Sequence, residues 1–252
     1  MELDIIKQGD CLSLMKDLPD ECVDLIVTSP PYNKRGLSCG GGSSPAENKK
    51  QIWNSFIDYN SYDDNMDEEE YRKWQIDIIN ECFRILKPCG SIFYNHKIRR
   101  LNNKAHFPEW VFHTNATFYQ MIIWDRCSVY DMNTNYLCPN TELIFWLTKG
   151  VPRVYKSNAE FQKEIWKILP SNSKLHPASF PEGLVTNCIN LTTQKGDVVF
   201  DPFMGSGTTG VSAVNHDRHF IGFELDEKYC EIARNRIENE RIEHKAKSFF
   251  LS

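Results

Sequence analysis

Val198-Val199-Phe200-Asp201-Pro202-Phe203-Met204-Gly205-Ser206-Gly207-Thr208-Thr209 is the stretch on which the fold turns. Three strand-forming apolar residues run towards a proline, which cannot continue a central strand, and a Gly-x-Gly turn then opens a helix. Glycine lacks a Cβ, so the backbone there can approach a ligand at the strand end and helix N-terminus, where α/β sheets bind their ligands. A purely structural tight turn would read the same way from these residues alone. The next strand, His219 to Glu224, adds a second feature, because it ends on a carboxylate able to accept hydrogen bonds from both hydroxyls of a ribose. Together the two strand ends suit an adenosine-type ligand. A nucleoside-triphosphate P-loop is excluded, since Ser206-Gly207-Thr208-Thr209 has no lysine before its hydroxyl residues. Nor is this a dinucleotide fingerprint: Gly210 follows Gly207 by three, but the Asp-Pro-Phe lead-in is foreign to it.

Working outward, a helix is expected from Pro181 to Leu191, a turn at Lys195-Gly196-Asp197, and a final helix from Asp226 onward. Upstream, Val23 to Val27 reads as a buried strand. From Asp67, an acidic first turn opens an amphipathic helix with Trp74, Ile78, Cys82, Ile85 and Leu86 on one face, closing in a turn at Lys87-Pro88-Cys89-Gly90. Ser91 to Tyr94 is a further buried strand, and the β-rich runs Phe118 to Trp124 and Glu142 to Leu147 can pair antiparallel. Between 150 and 180 only Phe161 to Ile168 shows any pattern. Residues 33–65, with Gly40-Gly41-Gly42-Ser43-Ser44-Pro45 inside them, are predicted to be a mobile loop. No internal repeat is visible. Alternating strands and helices in 252 residues indicate one α/β domain, with a mainly parallel sheet covered on both faces.

The strand at 23–27 delivers Thr28-Ser29-Pro30-Pro31-Tyr32, which does more than end a strand. Proline fixes the backbone and withholds an N–H, so the carbonyl before or at Pro30 can stand outward as a rigid acceptor. The amino group of a nucleic-acid base is a poor nucleophile, because its lone pair is delocalised into the ring. Two acceptors, Ser29 Oγ and the Pro30 carbonyl, could hold its hydrogens, favour a pyramidal nitrogen and aim the lone pair at a methylsulfonium carbon. Such a transfer is governed by positioning. Tyr32 would offer a flat face to a base extruded from a duplex. A proline-terminated loop with an exposed tyrosine is the plainer account of Pro-Pro taken alone.

Composition is that of a globular chain, with 41% hydrophobic and 25% charged residues. No run of about 20 apolar residues is present, and the start, Met1-Glu2-Leu3-Asp4, lacks a basic segment followed by an apolar one, so a cytoplasmic location is expected. The nine cysteines never form a C-x-x-C pair and read as reduced thiols, without metal-ligand spacing. A net charge of −5 does not favour nucleic acid, but acid is concentrated at Asp63-Asp64 and Asp67 to Glu70. Base is concentrated at Lys34, Arg35, Lys97, Arg99, Arg100 and Lys104, candidates for phosphate contacts, and it is local potential that governs a groove.

With both motifs in place, the sequence resembles the β-group amino-methylating (cytosine-N4 or adenine-N6) DNA methyltransferases, in which a Ser/Asp-Pro-Pro-Tyr motif precedes Asp-Pro-Phe-x-Gly-Ser-Gly. Gly9-Asp10-Cys11, the Asp24 to Tyr32 segment, Leu86-Lys87-Pro88, His176-Pro177, Asp201 to Thr209 and Phe220 to Glu224 look like family landmarks in family order. The resemblance implies a Rossmann-like S-adenosylmethionine-dependent methyltransferase fold in permuted motif order. Its sheet would have seven strands, mainly parallel, with an antiparallel pair at one edge, in a single domain over 1–252 carrying DNA-recognition insertions within 96–140.

By that likeness Ser29, Pro30, Pro31 and Tyr32 are catalytic. Asp201, Pro202, Phe203, Gly205, Ser206, Gly207 and Thr208 would line the methionine end of S-adenosyl-L-methionine, with His176, Ser179 and Phe180 beside its amino-acid group. Glu224 and Leu225 would hold the ribose, and Asp10 and Cys11 would approach the adenine. Ser29 and the run His176-Pro177-Ala178-Ser179-Phe180-Pro181 look more like cytosine-N4 members, while Asn33 completes a Pro-Pro-Tyr-Asn widespread in adenine-N6 members. Pro88-Cys89 is similar to the dipeptide of cytosine-C5 enzymes, but that cysteine should follow the catalytic strand, whereas Cys89 falls in a helix-ending turn, and amino transfer needs no thiol. Methylation of RNA or protein, or a non-catalytic cofactor-binding subunit, are the alternatives from other classes. No metal is required by this mechanism. Double-stranded DNA, a second copy of the chain and a cognate restriction endonuclease are the partners the resemblance implies.

Overall fold

The computed structural model describes residues 1–33, 66–101, 104–127, 137–155, 163–170 and 181–251. The expected loop at 33–65, apart from Asn33, lies outside these residues, as do Lys34, Arg35, His176, Ser179 and Phe180. In chain order the strands are β1 (Ile5–Gln8), β2 (Val23–Thr28), β3 (Leu86–His96), β4 (Arg99–Leu101), β5 (Lys104–His106), β6 (Thr117–Asp125), β7 (Thr141–Thr148), β8 (Ile165–Lys167), β9 (Val198–Asp201) and β10 (His219–Glu224). The helices are α1 (Cys11–Met15), α2 (Glu68–Ile85), α3 (Glu182–Thr192), α4 (Thr208–Asn215) and α5 (Glu227–Leu251), with a 3-10 turn at Glu109–His113.

The main sheet runs β1-β10-β9-β2-β3-β7-β6-β8. Neighbours from β1 to β3 are parallel, β7 is antiparallel to both β3 and β6, and β8 returns to parallel against β6. The predicted antiparallel pair is therefore formed, but among the described residues the sheet has eight strands rather than seven and β6 is not its edge. The extra strand is three residues long, too short to show a period. It is held by Trp166, buried against Phe93 at 6.4 Å between ring centroids, and by Trp124 Nε1 donating to the Ile168 carbonyl at 2.8 Å.

Strand alternation divides the core into two faces. Leu25, Val27 and Phe93 point with α3, α4 and α5 side chains such as Val185, Val211 and Ala233. Ile26, Ile92 and Tyr94 point with Ile78, Ile79 and Cys82 of α2. Asp67 caps α2 by accepting from Glu69 N at 2.9 Å, and Glu68, Glu69 and Glu70 favour its positive end. The helix passes straight into β3 at Leu86, where a closing turn was expected, because Cys89 takes φ +65° and the chain bulges within the strand. Gly90 is required there, since a Cβ would stand 2.9 Å from the Asp24 carbonyl. Cys89 is exposed, at the opposite end of β3 from His96.

Asp24, buried near the start of β2, accepts from Lys87 Nζ (2.7 Å), Arg153 Nη2 (2.7 Å) and Val198 N (3.0 Å), joining three segments at the far end of the sheet. Burial alone would raise its pKa, but the hydrogen bonds from Lys87, Val198 and Arg153 bring it below the usual aspartate value. Among the described residues no helix is long and apolar enough to cross a membrane.

Gly207 caps α4 in the left-handed region at φ +87°, and a Cβ there would meet the Ala233 Cβ of α5 at 2.8 Å. Gly207→Ala is expected to cost about 2–4 kcal/mol from backbone strain plus overpacking. Equilibrium denaturation checks this, and a loss under about 0.5 kcal/mol would contradict the close approach of the two helices.

Candidate active site

The Ser29 to Tyr32 corner leaves the carboxyl end of β2 and is fastened from α2. Tyr71 donates its hydroxyl to the Pro31 carbonyl at 2.8 Å, and Gln75 Nε2 reaches the same oxygen at 3.4 Å. Gln75 is itself oriented by the Tyr94 hydroxyl, which donates to its side-chain oxygen. No described residue donates to the Pro30 carbonyl. The corner is thus built on a buried tyrosine and glutamine that the sequence reading had not assigned.

Below the corner lies a buried polar chain. Ser29 Oγ is 2.7 Å from the Tyr32 hydroxyl, which donates to Glu142 Oε2 at 3.1 Å. Asn95 Nδ2 donates to the Tyr32 oxygen at 2.6 Å and to Glu142 Oε2 at 2.8 Å, with Ser29 Oγ more distant at 3.4 Å. Arg126 Nη1 donates to the other oxygen, Glu142 Oε1, at 2.8 Å. The Asn95 carbonyl oxygen is buried and has no hydrogen-bond partner among the described residues, a cost of about 1–3 kcal/mol. Tyr32 is only 9% exposed, with the His96 ring at 4.8 Å between centroids, so it does not present the open stacking face expected of it. Its hydroxyl pKa is pushed well above 10 by burial and then by the negative charge of Glu142.

The cofactor candidates divide by place. Glu224 sits at the end of β10, where Oε2 accepts from Gly205 N at 2.8 Å and Oε1 from Asp226 N at 2.9 Å. Burial raises its pKa against those backbone hydrogen bonds. Gly205 lies at φ +51°, and Gly9 N donates to the Glu224 carbonyl at 2.9 Å, which brings the end of β1 alongside. Asp10 follows as the cap of α1, accepting from Ser13 N at 2.8 Å. Cys11 is buried, its thiol pushed up to about 12 by burial and the neighbouring Asp10, which makes it unreactive. Phe203 is half-buried with its ring edge to Trp74 at 5.7 Å, Leu225 is half-buried, and Pro202 is buried.

Asp201 is placed differently from expectation. It is 2% exposed and accepts from Thr28 Oγ1 (2.7 Å), Phe203 N (3.0 Å) and Thr209 Oγ1 (2.7 Å), so it braces the loop rather than lining an open crevice. Ser206 and Thr208 are likewise buried, and Ser206 is held by Arg236 through both its carbonyl and, at 3.0 Å, its hydroxyl. Gly207 serves helix packing, as described above, and its missing Cβ is not a ligand cradle.

Of the basic candidates, Arg99 is corrected. It is 4% exposed, paired with Glu68 and stacked over Tyr71 at 4.8 Å, so burial withdraws it from phosphate contact. Arg100 and Lys104 are exposed on the β4–β5 hairpin, and Lys97 Nζ lies 5.8 Å from the Tyr32 ring centroid. Asn95, His96 and Arg126 carry no site motif in the sequence, and Glu142 stands there only as the first residue of a β-rich run. A carboxylate opening an otherwise apolar strand, Glu142-Leu143-Ile144-Phe145-Trp146, was the available signal for Glu142.

Residues 23–235 match the N6/N4 family model described as DNA methylase, which is most of the chain. The chain belongs to the N6/N4 DNA methylase family. Among relatives, the Type II methyltransferase M.BglII of Bacillus subtilis is 29% identical over 280 residues, covering 96% of this chain and 71% of its own. M.HinfI of Haemophilus influenzae is 26% identical, covering 93% of this chain and 68% of its own. The cytosine-N4-specific PvuII DNA methyltransferase shares the fold at TM-score 0.72 and 21% identity, covering 95% of this chain and 90% of its own. The Thermus thermophilus protein TTHA0409, solved in complex with S-adenosyl-L-methionine, shares it at TM-score 0.62 and 23% identity, covering 94% and 95% of the two chains.

Burial raises the Asp201 pKa from 3.8 to about 6, against the hydrogen bonds from Thr209, Thr28 and Phe203. Folding therefore favours the protonated acid. The stability this contributes is fully present below pH ~4 and is lost as pH rises through ~6, about 3 kcal/mol in all. The stability difference between the native chain and Asp201→Asn should shrink over that window in urea titrations at successive pH values. A pH-independent difference would refute the assignment.

Proposed function

We propose that this DNA methyltransferase transfers a methyl group from S-adenosyl-L-methionine to the exocyclic N4 of a cytosine flipped out of duplex DNA. The observation that carries the reading is the 2.7 Å hydrogen bond from Thr28 to Asp201, which ties the residue before the Ser29 corner to the start of the Gly205 loop. Acceptor corner and donor crevice are thereby set on adjacent strand ends, as transfer between two bound groups demands.

The residues fit the methyl donor. Each Glu224 oxygen accepts one backbone N–H and keeps a further lone pair for a ribose hydroxyl. Glu224 and Leu225 would hold that sugar, Asp10 and Cys11 the adenine side, and Phe203 and Gly205 the sulfonium side. When bound, the sulfonium supplies an electrophilic methyl group. Ser29 Oγ and the Pro30 carbonyl accept the hydrogens of the target amino group and turn its lone pair towards that carbon. Lys97, Arg100 and Lys104 would meet phosphates along the same rim.

The choice of N4 rests on Ser29, where adenine enzymes resembling this one more often carry aspartate, and the PvuII likeness is one of fold. Adenine-N6 transfer is the second reading, favoured by Asn33, whose side chain pairs both ways with the Met66 backbone at 2.8 and 3.0 Å. A pairing with a cognate endonuclease accords with the Type II names of the relatives.

Incubation with methyl-labelled S-adenosylmethionine and mixed-sequence duplex DNA, followed by mass spectrometry of the nucleosides, should yield N4-methylcytosine. N6-methyladenine would overturn the base assignment, and label confined to RNA or protein would overturn the DNA reading. Ser29→Ala should keep cofactor affinity within about threefold while transfer falls by about 100-fold or more.

A further inference from the structure

We infer that Glu142 is a positioning residue for methyl transfer, which orients the Ser29 hydroxyl and is the terminal acceptor for the proton that the amino group must lose. The inference rests on the amino-transfer reading and names a residue that reading does not use.

The direction of the chain follows from the donors available. A carboxylate can only accept, so the single Tyr32 proton points to Glu142 Oε2. The Tyr32 oxygen is then left with lone pairs, one of which takes an Asn95 hydrogen at 2.6 Å. The other faces Ser29 Oγ at 2.7 Å, so the serine is the donor in that bond. With its proton committed inward, Ser29 offers the substrate lone pairs only, the polarity needed to receive an amino hydrogen. A carboxylate on a strand far along the chain thus fixes, through Tyr32, which way the Ser29 hydroxyl points.

The same chain is a route for the proton. As the amino nitrogen forms its bond to the methyl carbon, the S–C bond breaks and its electron pair remains on sulfur, leaving a neutral thioether and a positively charged nitrogen. That nitrogen gives a proton to Ser29 Oγ, the Ser29 proton passes to the Tyr32 oxygen, and the Tyr32 proton passes to Glu142, which becomes a neutral acid. Charge and protons balance with no further reactant. Tyr32 accepts one proton as it releases another and need not ionise, in keeping with its raised pKa. Arg126 donates to the other carboxylate oxygen, Oε1, at 2.8 Å, so Oε2 is the oxygen left facing Tyr32.

The test is the single-turnover rate of methyl transfer to duplex DNA by the unaltered protein, Glu142→Gln, Tyr32→Phe and the double variant, with Kd for cofactor and DNA measured alongside. Each single variant should lower the rate by about 100-fold, leave both Kd values within about threefold, and abolish any solvent deuterium isotope effect. The double variant should be no slower than the worse single one, because one chain cannot be cut twice. Rates that multiply, or Glu142→Gln at the native rate, would overturn the role of Glu142 while leaving the amino-transfer reading intact. If Glu142→Gln does not fold, Tyr32→Phe at the native rate overturns the relay. An unaltered protein that methylates no DNA base refutes the reading itself, and the relay with it.

Discussion

A carboxyl group with no access to water, Asp201, organises the centre of the molecule. It gathers a hydroxyl from the end of β2, a backbone N–H from its own loop and a hydroxyl from the first turn of α4. Burying such a group is costly unless it is satisfied, and three donors make it tolerable. What results is a fixed spacing between two strand ends that no apolar contact would define as sharply. Hydrophobic burial forms the sheet, while this one acid sets where the corner and the glycine-rich loop stand relative to each other.

Much of this was legible in the order of residues. The strands at 23–27, 118–124, 142–147, 198–200 and 219–224 and the helix after Asp67 announce themselves, because long apolar periods and capping residues act locally. The short elements β1, α1, β4, β5 and β8 went unread, since three to five residues carry no period and are fixed by partners far along the chain. The same reason hides the site. Ser29 and Glu224 are found from motifs, but Asn95 and Glu142 lie in buried strands. Only tertiary pairing shows that their polar atoms converge on Tyr32. Tyr32 and Arg99 illustrate the opposite error, a residue type read as exposed that the fold encloses.

Charge is used locally rather than globally. The acidic run at the start of α2 favours the helix terminus, and Glu68 also neutralises Arg99, so part of both the acid and the base of the chain is consumed internally. Lys97 stays beside the Tyr32 ring, and Arg100 and Lys104 stay exposed on the β4–β5 hairpin, in a chain whose net charge is −5.

The reversed direction of β7 has a consequence for how such an enzyme can diversify. Because this strand runs against its neighbours, its first residues rather than its last stand at the carboxyl ends of β2 and β3, and the connection from Asp125 to Thr141 opens on that same rim. Chain can be inserted, exchanged or rewritten there without disturbing a single rung of the ladder. The sheet and this connection then become separable inheritances, able to drift at different rates within one molecule.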